Sequence, residues 1–521
     1  MSGPRTGRPG SAISPLPAVA AVCTSSPPQL GQVLSKPGRN FLPHLAISCT
    51  ECTEVPGQRG QGGPAPRTGR GEPRQRAGRA PAAARRLPDG GPPGSPRRQP
   101  AQTSHPRVGS SGYTGDMKLE HAIWWHLYPL GALGAPVRHD WSDDGDVARL
   151  RRLEPWLDYV VELGCNGLLF GPIFESTTHG YDTTDHFRID SRLGSNEDFD
   201  WLVEQCNARG LDIILDGVFN HLGVQHPLAT AAQAGEESPV IMADDGYPQH
   251  WEGNLDLAEL DHSDPATVDL TVDVMEYWLE RGIAGWRLDV AYAVPNEFWA
   301  AVTDRVRERF PDAVFLGEII HGDYASLIND GHLDTVTQYE LWKGIWSSVK
   351  DRNLWELAHA LERHAEFSAT ARMQTFVGNH DVDRIASLVG DDGAAIAAAI
   401  LFTLPGIPSV YQGDEQAFRG EKGSGVSADD AIRAPLPASP EELTDLGRWM
   451  YEHYRALISL RRRHAWLVDG QIEVLHKENE KLHYRVAGGE QSVDVVIDLS
   501  QPLVSATFSD GEEFRYAGHG K

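Results

Sequence analysis

Four acidic residues, Asp216, Asp289, Glu318 and Asp381, each follow a short apolar run. One acid after a strand is commonly the N-cap of the next helix. Four at equivalent places, with Arg287 and His380 beside them, exceed what capping explains. They lie 73, 29 and 63 residues apart, so only a fold that gathers strand ends can bring them together. Carboxylates grouped in this way can supply a nucleophile and a proton donor. Glycoside hydrolysis needs that pair, one on each side of an oxocarbenium-like transition state. Burial and neighbouring negative charge raise the pKa that the donor requires. An amidohydrolase-type metal centre fits less well, because His121 and His126 do not form the His-x-His such sites place after strand one.

The elements that must position these acids form a repeated beat. Ser195-Asn-Glu-Asp198 has capping-box spacing, and Phe199, Leu202, Val203 and Cys206 follow as the stripe of a one-sided helix. Gly210 ends it, and a short strand runs into Asp216. The beat recurs with Val268, Val272, Met275 and Leu279, then Gly282, then Gly285–Leu288 into Asp289. It recurs again with a helix over Asn296–Phe310, a stop at Pro311, and a strand over Ala313–Gly317 into Glu318. Alternating helices and short buried strands call for a parallel sheet covered by helices. Eight strands are expected: Ala122–Tyr128, Gly167–Phe170, Leu211–Leu215, Gly285–Leu288, Ala313–Gly317, Thr335–Tyr339, Gln374–Val377 and Ile407–Tyr411. The fold class is therefore α/β, a (β/α)8 TIM barrel, whose chemistry lies at the C-terminal ends of its strands. A doubly wound open sheet is the rival, but no G-x-G-x-x-G follows the first strand.

Leu446–Arg463 reads as a closing helix. Three alternating runs beyond it, with turn signals at Gly488-Gly489 and Asp510-Gly511, read as a small antiparallel β domain. The expected organisation is a leader over 1–116, a catalytic barrel over 117–463 with a short insertion at about 221–261, and a β domain over 464–521.

The whole chain has a formal charge of −26, an average over two unlike parts. Residues 1–116 carry 15 basic and 5 acidic side chains, 19 of the 35 prolines, 18 of the 53 glycines and no tryptophan. Such a composition offers little to bury, so the leader is expected to be disordered and dispensable for activity. The remainder carries −36, which argues against nucleic acid or an anionic membrane as a partner of the body. Cys49-Thr-Glu-Cys52 has zinc-knuckle spacing without a second pair. Five cysteines without a framework fit a reducing cytoplasm. The uncharged run Gly393–Val410 is cut by Pro405-Gly-Ile-Pro408 and is expected to be a buried helix and strand rather than a membrane span.

Several motifs together resemble the α-amylase family, glycoside hydrolase family 13. Asp216-Gly-Val-Phe-Asn-His221, Gly285-Trp-Arg-Leu-Asp-Val290, Phe315-Leu-Gly-Glu318 and Phe376-Val-Gly-Asn-His-Asp381 are similar to its four conserved regions. Gly180-Tyr-Asp-Thr-Thr-Asp-His-Phe-Arg-Ile-Asp190 and Tyr411-Gln-Gly-Asp-Glu415 resemble two further stretches. The resemblance implies Asp289 as nucleophile, Glu318 as acid/base and Asp381 as the stabiliser of the distorted sugar. It implies that Arg287 orients Asp289, that His221 and His380 bond sugar hydroxyls, and that Tyr181 stacks on the ring. Asp216 would support them from behind. The implied activity is retaining hydrolysis of α-1,4 or α-1,6 bonds in short or cyclic malto-oligosaccharides. Glycosyl transfer or isomerisation by the same triad is the alternative, and a non-catalytic sugar-binding homologue is the reading of another class.

The nearest implied relatives are cyclomaltodextrinases, neopullulanases and small intracellular α-glucosidases. Tyr292-Ala293 departs both from the Lys and His of calcium-binding amylases and from the Asn-Glu usual in the cyclomaltodextrinase group. No cofactor is required on this reading and Ca2+ is not expected, although Asp143-Asp-Gly-Asp146 has the composition of a calcium loop. Trp251, Trp342 and Trp346 are expected on loops at the barrel mouth, there to stack on sugar or to pack.

Overall fold

The computed structural model describes residues 118–138 and 148–519. The leader with Cys23, Cys49 and Cys52, the start at Met117, and Asp143–Asp146 lie outside the described residues.

Eight parallel strands form the main sheet. They are β1 (Trp124–Leu127), β2 (Gly167–Phe170), β3 (Asp212–Gly217), β4 (Gly285–Leu288), β5 (Val314–Gly317), β6 (Thr335–Val336), β7 (Gln374–Thr375) and β8 (Ile407–Tyr411). Their order is β6-β5-β4-β3-β2-β1-β8-β7, and a parallel bridge from Thr337 to Gln374 joins the two ends, so the sheet closes on itself. The (β/α)8 barrel read from the sequence is therefore the fold. Strands two, four and eight have the expected bounds. The first strand is shorter than its apolar run, and the sixth stops at Val336 because Gln338 caps a helix that starts at Tyr339.

Side chains alternate across each strand, and this alternation builds the barrel's interior in layers. Trp124, Leu169, Ile214, Val314 and Ile407 pack together as an apolar floor. Two residues further along their strands come His126, Asp216 and Leu316, on the same inward face and nearer the C-terminal mouth. On β4 the inward positions are Gly285, Arg287 and, just past the strand, Asp289. A side chain at 285 would meet the Val314 carbonyl at 2.1 Å, so glycine is required where β4 and β5 approach.

Helices cover the outside of the sheet. Ser195 and Asp198 form the anticipated capping box at the start of Asn196–Arg209, and Gly210 ends that helix at φ 70°. Arg448–Arg463 closes the barrel. Ile385–Thr403, bent at Gly390, is the one helix among the described residues long and apolar enough to cross a membrane. Every residue from Gly393 to Thr403 is buried, which marks it as a core helix.

Five antiparallel strands follow, two more than the alternating runs suggested: β9 (Gln471–Lys477), β10 (Lys481–Gly488), β11 (Gln491–Asp498), β12 (Leu503–Phe508) and β13 (Glu513–Tyr516). Their inner face, including Tyr484, Val495, Ile497 and Val504, is buried, and Tyr484 Oη shares a 2.7 Å hydrogen bond with Thr403 Oγ1. Two hairpins leave the barrel mouth. One pairs Phe174–Ser176 with Thr183–Ile189, and the other pairs His221–Gly223 with Leu257–Glu259 inside the insertion.

Candidate active site

Arg287 is the hub of the mouth. Its Nη1 donates to both oxygens of Asp216 (2.8 and 2.9 Å) and to Asp289 Oδ1 (2.8 Å). Its Nη2 lies 2.7 Å from Glu318 Oε1. All four groups are buried. Three strands thus deliver three carboxylates to one guanidinium, whose planar fork suits simultaneous carboxylate contacts.

The turn after β4 sets the next contact. Val290 has φ 50°, a region that a β-branched residue rarely enters. In that conformation its N–H donates to Glu318 Oε2 at 3.0 Å. Backbone strain here coincides with a bond between the two segments that carry Asp289 and Glu318.

Asp381 enters from the other side. Arg433 donates to Asp381 Oδ1 at 2.8 Å and to the His380 carbonyl at 2.8 Å, pairs with Asp429 at 2.9 Å, and lies 4.5 Å above the Tyr128 ring. His380 Nε2 contacts Asp381 Oδ2 at 3.2 Å and also the Tyr181 hydroxyl, and the rings of Tyr181 and His380 are nearly parallel at 5.8 Å. Tyr181 also donates to Asp216 Oδ2 at 3.3 Å. Behind His380, His126 Nε2 and His380 Nδ1 share a 3.0 Å hydrogen bond.

Electrostatics divide the acids. Burial pushes Asp216 up to about 7 and Asp289 well above its ordinary value, in both cases against the pull of Arg287. Burial also opposes ionisation of Asp381, but the charges of Arg433 and Arg287 outweigh it and hold that carboxyl below the usual range. Burial pushes His126 and His221 down to about 3 and His380 well below its ordinary value, so these imidazoles are neutral. The site thus holds a charged carboxylate on one side and proton-retaining carboxyls on the other.

Asp216, Arg287, Asp289, Glu318 and His380 therefore meet in one buried cluster, with Asp381 and Tyr181 partly exposed at its edge. His221 lies at its edge, at the start of the insertion hairpin. Asn220 holds its Nδ1 at 3.1 Å, and Trp251 lies parallel to it at 6.3 Å. Trp342 and Trp346 occupy the helix Tyr339–Asp351 rather than a loop, and Trp342 packs on Tyr339 and Phe376. For these two the expected loop placement is corrected. The helix begins directly where β6 ends, which leaves no loop for them.

Sequence reasoning passed over five residues of the site. His126 shares the inward face with Trp124, a signal the two-residue spacing carried. Tyr339 looked like the end of a strand. Asn379 lies inside a quoted motif but drew no role. Arg433 and Asp429 come from a long connection after β8, where nothing in the spacing distinguished them. Beside Arg433 and His179 a cleft of about 670 Å3 opens, lined also by Gly134, Pro136, Thr178 and Asp429.

Comparison with known proteins places this geometry. The family described as "Alpha amylase, catalytic domain" matches residues 136–242 and 249–438. Neopullulanase 2 of Thermoactinomyces vulgaris is 31% identical over 391 residues, 71% of this chain and 64% of that protein. A cyclomaltodextrinase of Geobacillus thermopakistaniensis is 29% identical over 418 residues, 73% of this chain and 69% of that protein. The chain thus spans about two thirds of these relatives' own length. Among solved structures, the cyclic alpha-maltosyl-(1→6)-maltose hydrolase of Arthrobacter globiformis, in complex with that cyclic sugar, superposes with a TM-score of 0.63 at 26% identity. It covers 73% of this chain and 91% of its own.

Proposed function

The chain belongs to the alpha-amylase family, and on that premise we propose that it is a retaining α-glycosidase acting on short or cyclic malto-oligosaccharides. The observation that carries this reading is the single guanidinium of Arg287 bonded at once to Asp216, Asp289 and Glu318, with Asp381 fixed opposite by Arg433.

In this mechanism Asp289 attacks carbon one of the sugar and Glu318 protonates the departing oxygen. The C–O bond to the leaving sugar breaks as the ester to Asp289 forms. Glu318 then removes a proton from water, which attacks carbon one and releases Asp289. Two inversions leave the α configuration. The Arg287 bond to Asp289 Oδ1 opposes the effect of burial and pulls toward the ionised form that the attack needs. Asp381, charged and held by Arg433, stabilises positive character on the sugar ring. Neutral His380 donates from Nε2, His221 bonds a hydroxyl at the rim, and Tyr181 lines the ring's binding face. Asp216 supports Arg287 from below.

Short and cyclic substrates are supported by the names of the relatives. No metal or cofactor takes part in this mechanism. A cytoplasmic location is supported by the name of a relative, the intracellular maltogenic amylase of Bacillus subtilis, 30% identical over 389 residues. The leader is proposed to be dispensable.

The test is a product screen over maltotriose, β-cyclodextrin, isomaltose and pullulan, read by anomer-resolving NMR. The α-anomer is expected first from maltotriose or β-cyclodextrin. A β-anomer, or sugar binding with no turnover on any of the four, would contradict the proposal.

A further inference from the structure

Glu318 is held from three directions. Arg287 and the Tyr339 hydroxyl both reach Oε1, at 2.7 and 3.3 Å, and the Val290 N–H reaches Oε2 at 3.0 Å. Tyr339 is itself fixed. Asn379 Nδ2 donates to its hydroxyl oxygen at 2.7 Å, and Asn379 Oδ1 accepts the N–H of Asp381 at 2.9 Å. The sense of this chain follows from its ends. The Asp381 N–H must meet the amide oxygen, so the amide NH2 faces the phenol. The phenol oxygen then accepts from Asn379, and its own proton is left for Glu318.

We propose that Tyr339, oriented by Asn379, is a positioning residue for the proton donor, and that it assigns the proton of Glu318 to one oxygen. Oε1 already faces the Arg287 cation and accepts from Tyr339, so the proton belongs on Oε2, whose second lone pair is free beside the Val290 bond. The same chain ties the donor to the backbone of Asp381, so acid and stabiliser keep their spacing. Burial keeps the Tyr339 phenol protonated, as a donor must be. The inference rests on the reading of Glu318 as the acid/base.

The experiment compares two substrates with the same glycosyl group. Maltotriose needs a protonated leaving oxygen, whereas fluoride leaves α-maltosyl fluoride unprotonated. Tyr339→Phe keeps the ring packing on Phe376 (4.9 Å) and Trp342 (5.7 Å). It is expected to lower kcat on maltotriose by about 10- to 100-fold, part of what acid catalysis supplies, with KM nearly unchanged. The rate on α-maltosyl fluoride should change by less than about threefold, because acid catalysis contributes nothing to that departure. Asn379→Ser releases the phenol without altering Tyr339 and should show the same selectivity, which keeps the test valid if Tyr339→Phe folds poorly. Equal losses on both substrates, or none, in the folded variants would overturn the proposal. Glu318→Gln is the reference. If, with azide present as a nucleophile that needs no general base, it too loses both activities equally, the reading of Glu318 is wrong. If it is selective and Tyr339→Phe is not, only the present inference fails.

Discussion

Arg287 Nη2 lies 2.7 Å from Glu318 Oε1 while Nη1 of the same guanidinium bridges Asp216 and Asp289. One cation thus compensates three buried acids. It binds the nucleophile's strand to the proton donor's strand, and each carboxylate competes with the others for it. This competition is why burial succeeds in raising Asp216 and Asp289 despite an arginine in direct contact.

Arg287→Lys tests that hub. An ammonium is a point charge and cannot span the fork. The exchange should lower kcat by about 10²- to 10³-fold, comparable with the loss of a preorganised donor. It should also lower the Tm, since buried carboxylates left short of a partner are destabilising. Steady-state kinetics and a thermal melt check both, and a wild-type kcat would contradict the hub.

His126 sets what His380 can donate. With His126 donating from Nε2 to His380 Nδ1, His380 carries its own proton on Nε2, facing Tyr181 and Asp381. His126→Leu should reduce kcat/KM by about tenfold, the scale of one buried hydrogen bond. His126→Gln, whose amide can reach the same atom, should recover most of it.

Trp251 lies half-exposed and parallel to His221 at the rim. If both faces of a bound sugar chain are read there, Trp251→Ala should raise KM by about tenfold, as loss of one aromatic contact would, with kcat nearly constant. A fall in kcat at constant KM would place Trp251 in the chemistry instead.

Glu415 gives stability a pH dependence. It is fully buried, accepts from Tyr159 Oη (3.0 Å) and the Gly413 N–H (2.9 Å), and has no cation bonded to it. Burial pushes its carboxyl from 4.5 up to about 7. A raised acid favours the folded state most fully below its unfolded pKa, and that advantage is lost as pH climbs toward the folded value. Wild-type Tm should therefore fall between about pH 4.5 and 7, an effect of at most about 3 kcal/mol. Glu415→Gln should flatten this slope, measured as the difference in Tm between pH 5 and pH 8. An unchanged slope would show that Glu415 is not its source.

Much of this arrangement was legible in the chain. Periodicity and helix stops located all eight strands, because short buried runs between capped helices leave few alternatives. The carboxylates at strand ends were visible for the same reason. Arg287 could be assigned to Asp289, since two residues on one strand share a face, but its reach to Glu318 depends on the neighbouring strand and the turn at Val290. Tyr339 was misread because its apolar flanks continue a strand pattern that Gln338 interrupts by capping a helix. Arg433 could not be seen at all. Its position depends on how a long connection folds back over Tyr128, and neither spacing nor composition encodes that path.

Asp289 as the nucleophile is the central claim, and trapping the intermediate tests it most directly. A 5-fluoro-α-glycosyl fluoride forms the ester quickly and releases it slowly, so digestion and peptide mass spectrometry can locate the sugar. The label is predicted on Asp289, within the peptide that carries Arg287 to Val290. A label on Glu318 or Asp381, or turnover of the reagent with no adduct and a β-product, would contradict the account.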